Sequence, residues 1–312
     1  MKRGLAFHGE AGLVTWEIEG WDSAANEGRG ALTMGCLLPT THLKIRRTYA
    51  LKGPVLAIRE RISNLCGFER AFGRAQHVTI GEQFLLRTGP SGAGSPCCSF
   101  RASCDRGVTW PHEEDAAGAL NSQWAVGAEF AYPDVPRRDG GVDAWGAFPR
   151  PSAGGRNLDL CTLRCRTDDD WGWFVAERAG AGANASHGSG SEGGGGGASG
   201  GMSLACAWPR KAFPWLMTWE ENRARRGKPW RGPCGEGTLC RGLELSSYAF
   251  ATSRRENVAR GTLLGQPCFE WLDADETKDD TFFLALQPTA AAGAEAEVPG
   301  GQLTGVQLCG LN

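Results

Sequence analysis

The chain has 312 residues, a formal charge of −2 and a pI near 6.2, so its charge balance points to neither nucleic acid nor an anionic membrane as a partner. Hydrophobic residues make up 41 %, enough for a real core, yet no segment approaches the about 20 apolar residues needed to cross a bilayer. Only six of the 33 basic residues are Lys, a bias that reads first as genome composition.

Twelve Cys raise the question of redox state. The start, Met1-Lys2-Arg3-Gly4-Leu5-Ala6-Phe7-His8, has no sustained apolar run, so no secretory signal is expected. Reduced thiols and a cytoplasmic location follow as expectations. The closest cysteine spacings are Cys97-Cys98, Cys161-x3-Cys165 and Cys234-x5-Cys240. None has the ligand spacing of a zinc site, so no metal is expected.

Helical periodicity is scarce. Short β-rich runs between turn residues recur at 13–18, 43–49, 55–62, 171–175 and 281–286. Many short strands with turn signals between them predict an all-β sandwich or barrel, read as one domain over 1–312. The run 55–62 alternates imperfectly at Ile58, Glu60 and Ile62, which predicts a strand covered on both faces. Residues 179–201 are almost entirely Gly, Ala and Ser, too poor in apolar groups to offset ordering entropy. They read as a flexible surface loop between two strands. The stretches 88–96 and 290–301 read as further weakly ordered loops, the latter before a last short strand.

Two alternating stretches carry candidate chemistry. In Gly242-Leu243-Glu244-Leu245-Ser246 the two Leu share one face of an extended strand and Glu244 and Ser246 the other. In Gln76-His77-Val78-Thr79-Ile80-Gly81, Val78 and Ile80 face one way, His77 and Thr79 the other. If the two strands are neighbours, a carboxylate and an imidazole converge, which is the minimum equipment for proton transfer in two directions.

Three pieces together resemble the aldose 1-epimerase (galactose mutarotase) superfamily. They are His8-Gly9-Glu10-Ala11 followed by Trp16, Gln76-His77-Val78-Thr79-Ile80-Gly81 after Ser63-Asn64-Leu65, and Gly242-Leu243-Glu244-Leu245, in the family's order. The resemblance implies a large antiparallel β-sandwich, the galactose mutarotase-like supersandwich, with an open sugar-binding groove on one sheet. It implies interconversion of the α and β anomers of an aldose without a cofactor. By matching positions, Glu244 is the base and His77 the acid. His8, Trp16, Arg74 and Gln76 are candidate substrate-binding residues, and Trp171, Trp173 and Trp219 offer further flat apolar faces. The implied partner is a small sugar or sugar phosphate. The family carries a further strand or two, with a substrate-binding Arg, before its His-Gly element; either the recorded start of this sequence is late or those first strands and that Arg are lacking.

Two alternatives stay open. A groove lined by several Arg favours a hexose 6-phosphate. Glu244 or His77 buried in apolar packing favours a non-catalytic carbohydrate-binding protein. The enzyme reading expects the two to face each other across a sugar-sized gap.

Overall fold

A computed structural model describes residues 9–24, 29–88, 94–115, 118–119, 121–150, 156–180, 201–225, 227–228, 230–231 and 235–289. His8, most of the Gly-rich stretch (181–200) and the segment 290–312 lie outside the described residues.

Strands of alternating sequence dominate and pair into two large antiparallel sheets. In chain order they are β1 (Glu17–Ala24), β2 (Arg29–Leu38), β3 (Leu43–Lys52), β4 (Val55–Asn64), β5 (Ala75–Gly81), β6 (Cys98–Ala102) and β7 (Cys104–Thr109). There follow β8 (Glu129–Ala131), β9 (Asn157–Cys165), β10 (Trp171–Arg178), β11 (Met202–Pro209), β12 (Trp215–Asn222), β13 (Leu239–Ser246) and β14 (Thr277–Pro288). The larger sheet runs β1-β2-β3-β4-β14-β11-β10-β6; the smaller runs β8-β7-β9-β12-β13-β5. Two short helices are described, α1 (Glu82–Leu85) and α2 (Arg254–Arg260); the second begins at Ser253, whose hydroxyl accepts from the Glu256 N–H. No described helix is long and apolar enough to cross a membrane.

The sheets bury their facing sides against each other. Ile58, Phe100, Phe174, Trp208 and Phe282 from the larger sheet meet Ile80, Leu163, Leu216, Leu243 and Leu245 from the smaller in one core. This is the all-β sandwich expected. The strands on either side of the Gly-rich stretch, β10 and β11, pair antiparallel with Arg178 opposite Met202.

Two sequence expectations are corrected. Residues 13–16 are not strand: a short 3-10 turn (Glu10–Gly12) precedes them, and β1 begins at Glu17 and forms the edge of the larger sheet. Its Ile18 and Trp21 side chains are exposed. Nor is β4 covered on both faces. Ile58, Glu60, Ile62 and Asn64 are buried, while Arg59 and Arg61 are exposed. Glu60 interrupts the apolar pattern because it is an inward-facing charge.

Glu60 is buried with partners. Arg47 Nε lies 2.5 Å from its Oε2, Gln76 Nε2 donates to the same oxygen at 3.0 Å, and Arg74 Nη1 lies 3.5 Å from Oε1. Arg74 also reaches Asp280 at 2.5 Å and Glu270 at 3.1 Å, and its guanidinium stacks over Phe213 at 4.6 Å. These carboxylates hold the Arg74 pKa above its usual value, against the opposing effect of burial. The network ties β3, β4 and β14 of one sheet to β5 at the edge of the other. Buried ion pairs are costly to break one-sidedly, because the remaining charge keeps its desolvation penalty. Glu60→Ala is therefore expected to lower stability by about 3–5 kcal/mol in urea unfolding; a loss under about 1 kcal/mol would show that the network does not hold the sheets together.

Candidate functional site

On the smaller sheet, β13 pairs antiparallel with β5 in a register that sets Leu243 opposite Val78, Glu244 opposite His77 and Leu245 opposite Gln76. Leu243, Leu245 and Ile80 enter the core, so Glu244 and His77 must emerge on the outward face. His77 Nε2 and Glu244 Oε1 are 3.1 Å apart, with side-chain exposures of 33 % and 15 %. Thr79, two residues along the same face, places Oγ1 3.1 Å from His77 Nδ1. The Thr79 hydroxyl and Nδ1 share a hydrogen bond, while Nε2 and Oε1 are in close contact across the two strands. The imidazole is thus oriented by Thr79 at Nδ1 with Nε2 turned toward Glu244. The pair is in contact, not separated by a sugar-sized gap, and neither member is buried in apolar packing.

Gly242 makes this geometry possible. A Cβ there would lie 2.7 Å from His77 Cε1 and 3.2 Å from Trp219 Cε3. With no side chain on β13 at that point, the Trp219 ring on β12 meets His77 edge-on, centroids 6.4 Å apart. Trp230 tilts against Trp219 at 5.1 Å, and the Arg225 guanidinium stacks on Trp230 at 3.8 Å while its Nε reaches Glu221 at 2.7 Å. Arg223 pairs with Glu82. At the other end, Tyr248 lies just past β13. Burial first, and the Glu244 charge second, push its phenol pKa up, so it stays a neutral hydrogen-bonding group.

The other predicted residues lie elsewhere. Arg74 and Gln76 are corrected from substrate binding to structure. Their strand parity is opposite to that of His77, and both are engaged in the Glu60 network between the sheets. Trp16 packs on a separate core around Leu38, Ile45 and Phe72, donates Nε1–H to Ala11 O at 2.9 Å and lies under Arg47. His8 lies outside the described residues. Trp171 packs on Phe283, and it and Trp173 belong to the larger sheet, so of the candidate platforms Trp219 reaches the pair. Sequence reasoning missed Trp230, Tyr248 and the need for Gly242. A Gly between strand residues, Arg241 and Leu243, was the available signal for Gly242; nothing local marked the other two.

No cluster of metal-binding side chains occurs among the described residues, and the ten described cysteines are free. Cys240 shares the outward face but is buried, its thiol pushed up to about 12 chiefly by burial, which disfavours the thiolate.

No protein-family model matches the sequence, and no curated protein matches it. Solved structures do. A galactose mutarotase-like protein of Clostridium acetobutylicum superposes with a TM-score of 0.52 at 12 % identity, covering 88 % of this chain and 67 % of that one. A Klebsiella pneumoniae protein proposed to be an aldose 1-epimerase gives a TM-score of 0.47 at 7 % identity. The comparison covers 83 % of this chain but only 50 % of the Klebsiella protein, so this chain spans about half of that length. A galactose mutarotase-like protein of Lactobacillus casei gives 0.35 at 12 % identity, covering 90 % and 76 %. The Clostridium comparison shows the fold, the galactose mutarotase-like β-sandwich.

Gly242→Ala is expected to push the His77 ring off Glu244 and to cost about 1–3 kcal/mol by overpacking. The check is the His77 Nε2 signal in 15N NMR together with thermal unfolding. An unmoved signal would mean that the ring does not depend on the missing Cβ.

Proposed function

We propose that the protein is a cofactor-independent isomerase that interconverts the α and β anomers of an aldose, with Glu244 as base and His77 as acid. The observation that carries this is the direct cross-strand pairing of the two groups on an accessible face, Nε2 to Oε1 at 3.1 Å. The mutarotase-like fold agrees with the resemblance in the sequence.

The chemistry explains why contact serves better than a gap. The hydroxyl that loses its proton and the ring oxygen that gains one are bonded to the same anomeric carbon. The groups serving them must therefore be neighbours. Glu244 takes the anomeric hydroxyl proton, the C1–O bond to the ring oxygen breaks, and protonated His77 delivers a proton to that oxygen. The open-chain aldehyde rotates about C1–C2. On closing, His77 takes the proton back from the attacking hydroxyl and Glu244 returns its own to the new anomeric oxygen. No proton is gained or lost over the cycle. A sugar entering the site would replace the His77–Glu244 contact with one hydrogen bond to each oxygen. Thr79 keeps the imidazole oriented meanwhile, and Trp219 offers an apolar face beside the ring.

The hexose 6-phosphate alternative gains no support here, since Arg223 and Arg225 are each held by a carboxylate. The test is anomer exchange of freshly dissolved α-glucose and α-galactose, followed by NMR against a buffer blank. Glu244→Gln and His77→Ala are each expected to slow enzymatic exchange by about 10²–10⁴-fold, the usual worth of a general base or acid. Exchange at the wild-type rate in Glu244→Gln would exclude Glu244 as the base. No acceleration by the wild-type protein, with sugar still bound, would favour a carbohydrate-binding protein instead.

A further inference from the structure

A groove of about 720 Å³ lies between α2 and the two-stranded ribbon formed by Arg70–Phe72 and Glu270–Leu272. Phe72 and Leu272 are buried in the core around Leu38 and Ile45, so alternation turns Ala71 and its cross-strand partner Trp271 outward into the groove. The other wall is α2. Two of its side chains engage the fold beneath: Asn257 Nδ2 donates to Phe250 O at 3.0 Å, and the Arg260 guanidinium stacks on the Phe250 ring at 4.8 Å. Arg254, Arg255, Val258 and Ala259, neighbours on one helix face, are exposed and line the groove. The bend before the ribbon adds Phe68 and Glu69. Three large apolar side chains stand open here: Phe68 is 63 % exposed, Trp271 49 % and Val258 36 %. Apolar side chains gathered in one exposed concavity mark an interaction site, whereas single ones scattered over a surface do not. The charges around them are also unengaged. Glu69, Arg254 and Arg255 make no side-chain hydrogen bond or ion pair among the described residues, although all three line the same groove. The remaining cation, Arg70, donates to Thr41 O.

We infer that this groove is the interface of a two-fold dimer, its occupant a second copy of this chain. A two-fold interface uses one patch twice, so the patch must complement itself. This one sets an unpaired carboxylate and two unpaired guanidiniums around an apolar floor. Across a two-fold axis each chain's Glu69 meets the other's Arg254 and Arg255, and each Phe68 enters the other's groove against Trp271. Aromatic side chains seated in apolar pockets are the usual anchors of such interfaces. An acidic partner of another kind would use the two Arg but would set its own charge beside Glu69, and like charges brought together disfavour that partner. A second copy answers both signs. The residues lining the groove include neither His77 nor Glu244 nor their neighbours Thr79 and Trp219, so the dimer stands independently of the anomer-exchange reading.

The test is sedimentation equilibrium of the full chain over a concentration series, with folding of every variant checked by circular dichroism. The wild-type chain is expected to reach twice its 33.3 kDa mass at the upper end of the series. Glu69→Arg and, separately, the double variant Arg254→Glu/Arg255→Glu are each expected to weaken association by about tenfold or more, since both place like charges face to face. An equimolar mixture of the two variants is expected to regain the dimer, because both half-contacts of the mixed pair are then of opposite sign. Phe68→Ser, at an exposed position, is expected to abolish the dimer without unfolding the chain. A monomer at every concentration, a dimer indifferent to all these changes, or a mixture no more associated than its components would overturn the proposal. A monomeric chain that instead binds 8-anilinonaphthalene-1-sulfonate, with binding lost in Arg254→Glu/Arg255→Glu, would replace the second copy by a small amphipathic anion.

Discussion

The acid–base chemistry proposed for this molecule depends on the pairing register between β5 and β13. Side chains alternate along a strand, so a slip of β5 by one residue would turn His77 inward, away from Glu244, and expose Val78 and Ile80. The core resists that slip. Ile80 is almost completely buried, and its loss to solvent would cost about 1.5–3 kcal/mol. Because β5 is the edge strand of its sheet, it has a pairing partner on one side only. The Glu60 network holds it from the other sheet through Arg74 and Gln76. Residues expected to touch substrate thus position the strand that carries the acid.

A second buried network stabilises the neighbouring strands. Arg241 on β13 and Glu220 on β12 are cross-strand partners, 3.0 Å apart and fully buried, and Arg150 also pairs with Glu220. Burial pulls the Arg241 guanidinium down to about 10, so it remains charged at neutral pH, while burial pushes the Glu220 carboxyl up against the pull of both Arg. Arg241 also donates to Trp145 O at 2.7 Å and stacks on Phe100 and Trp145. These groups lie on the inward face, one residue from Gly242. The strand therefore turns a buried charge inward and an accessible carboxylate outward within four residues. Alternation alone keeps the two chemistries apart.

The candidate pair was legible because its flanking residues are unambiguous. Leu243, Leu245, Val78 and Ile80 announce the inward face, and the polar residues between them must point away. The same logic failed where a charge faces inward. Glu60 looked like a break in the pattern, and Arg74 and Gln76 looked like groove residues because polar side chains usually avoid a core. Only partners brought from other strands reconcile them with burial. Trp16 failed for a related reason: an indole serves a core as well as a sugar face, and its sequence neighbours do not distinguish the two.

By itself the sequence determined the all-β class, several strand positions and which side of β5 and β13 carries the titratable groups, since these follow from periodicity within a few residues. Tertiary structure alone decided that the two strands are partners, that His77 and Glu244 touch, and that Trp219 reaches His77 across Gly242. It also decided that Arg74 is buried and that Gln76, partly buried, joins it in the Glu60 network. These are relations between segments separated by tens to hundreds of residues, set by register and by pairing of buried charges, and local composition carries no record of either.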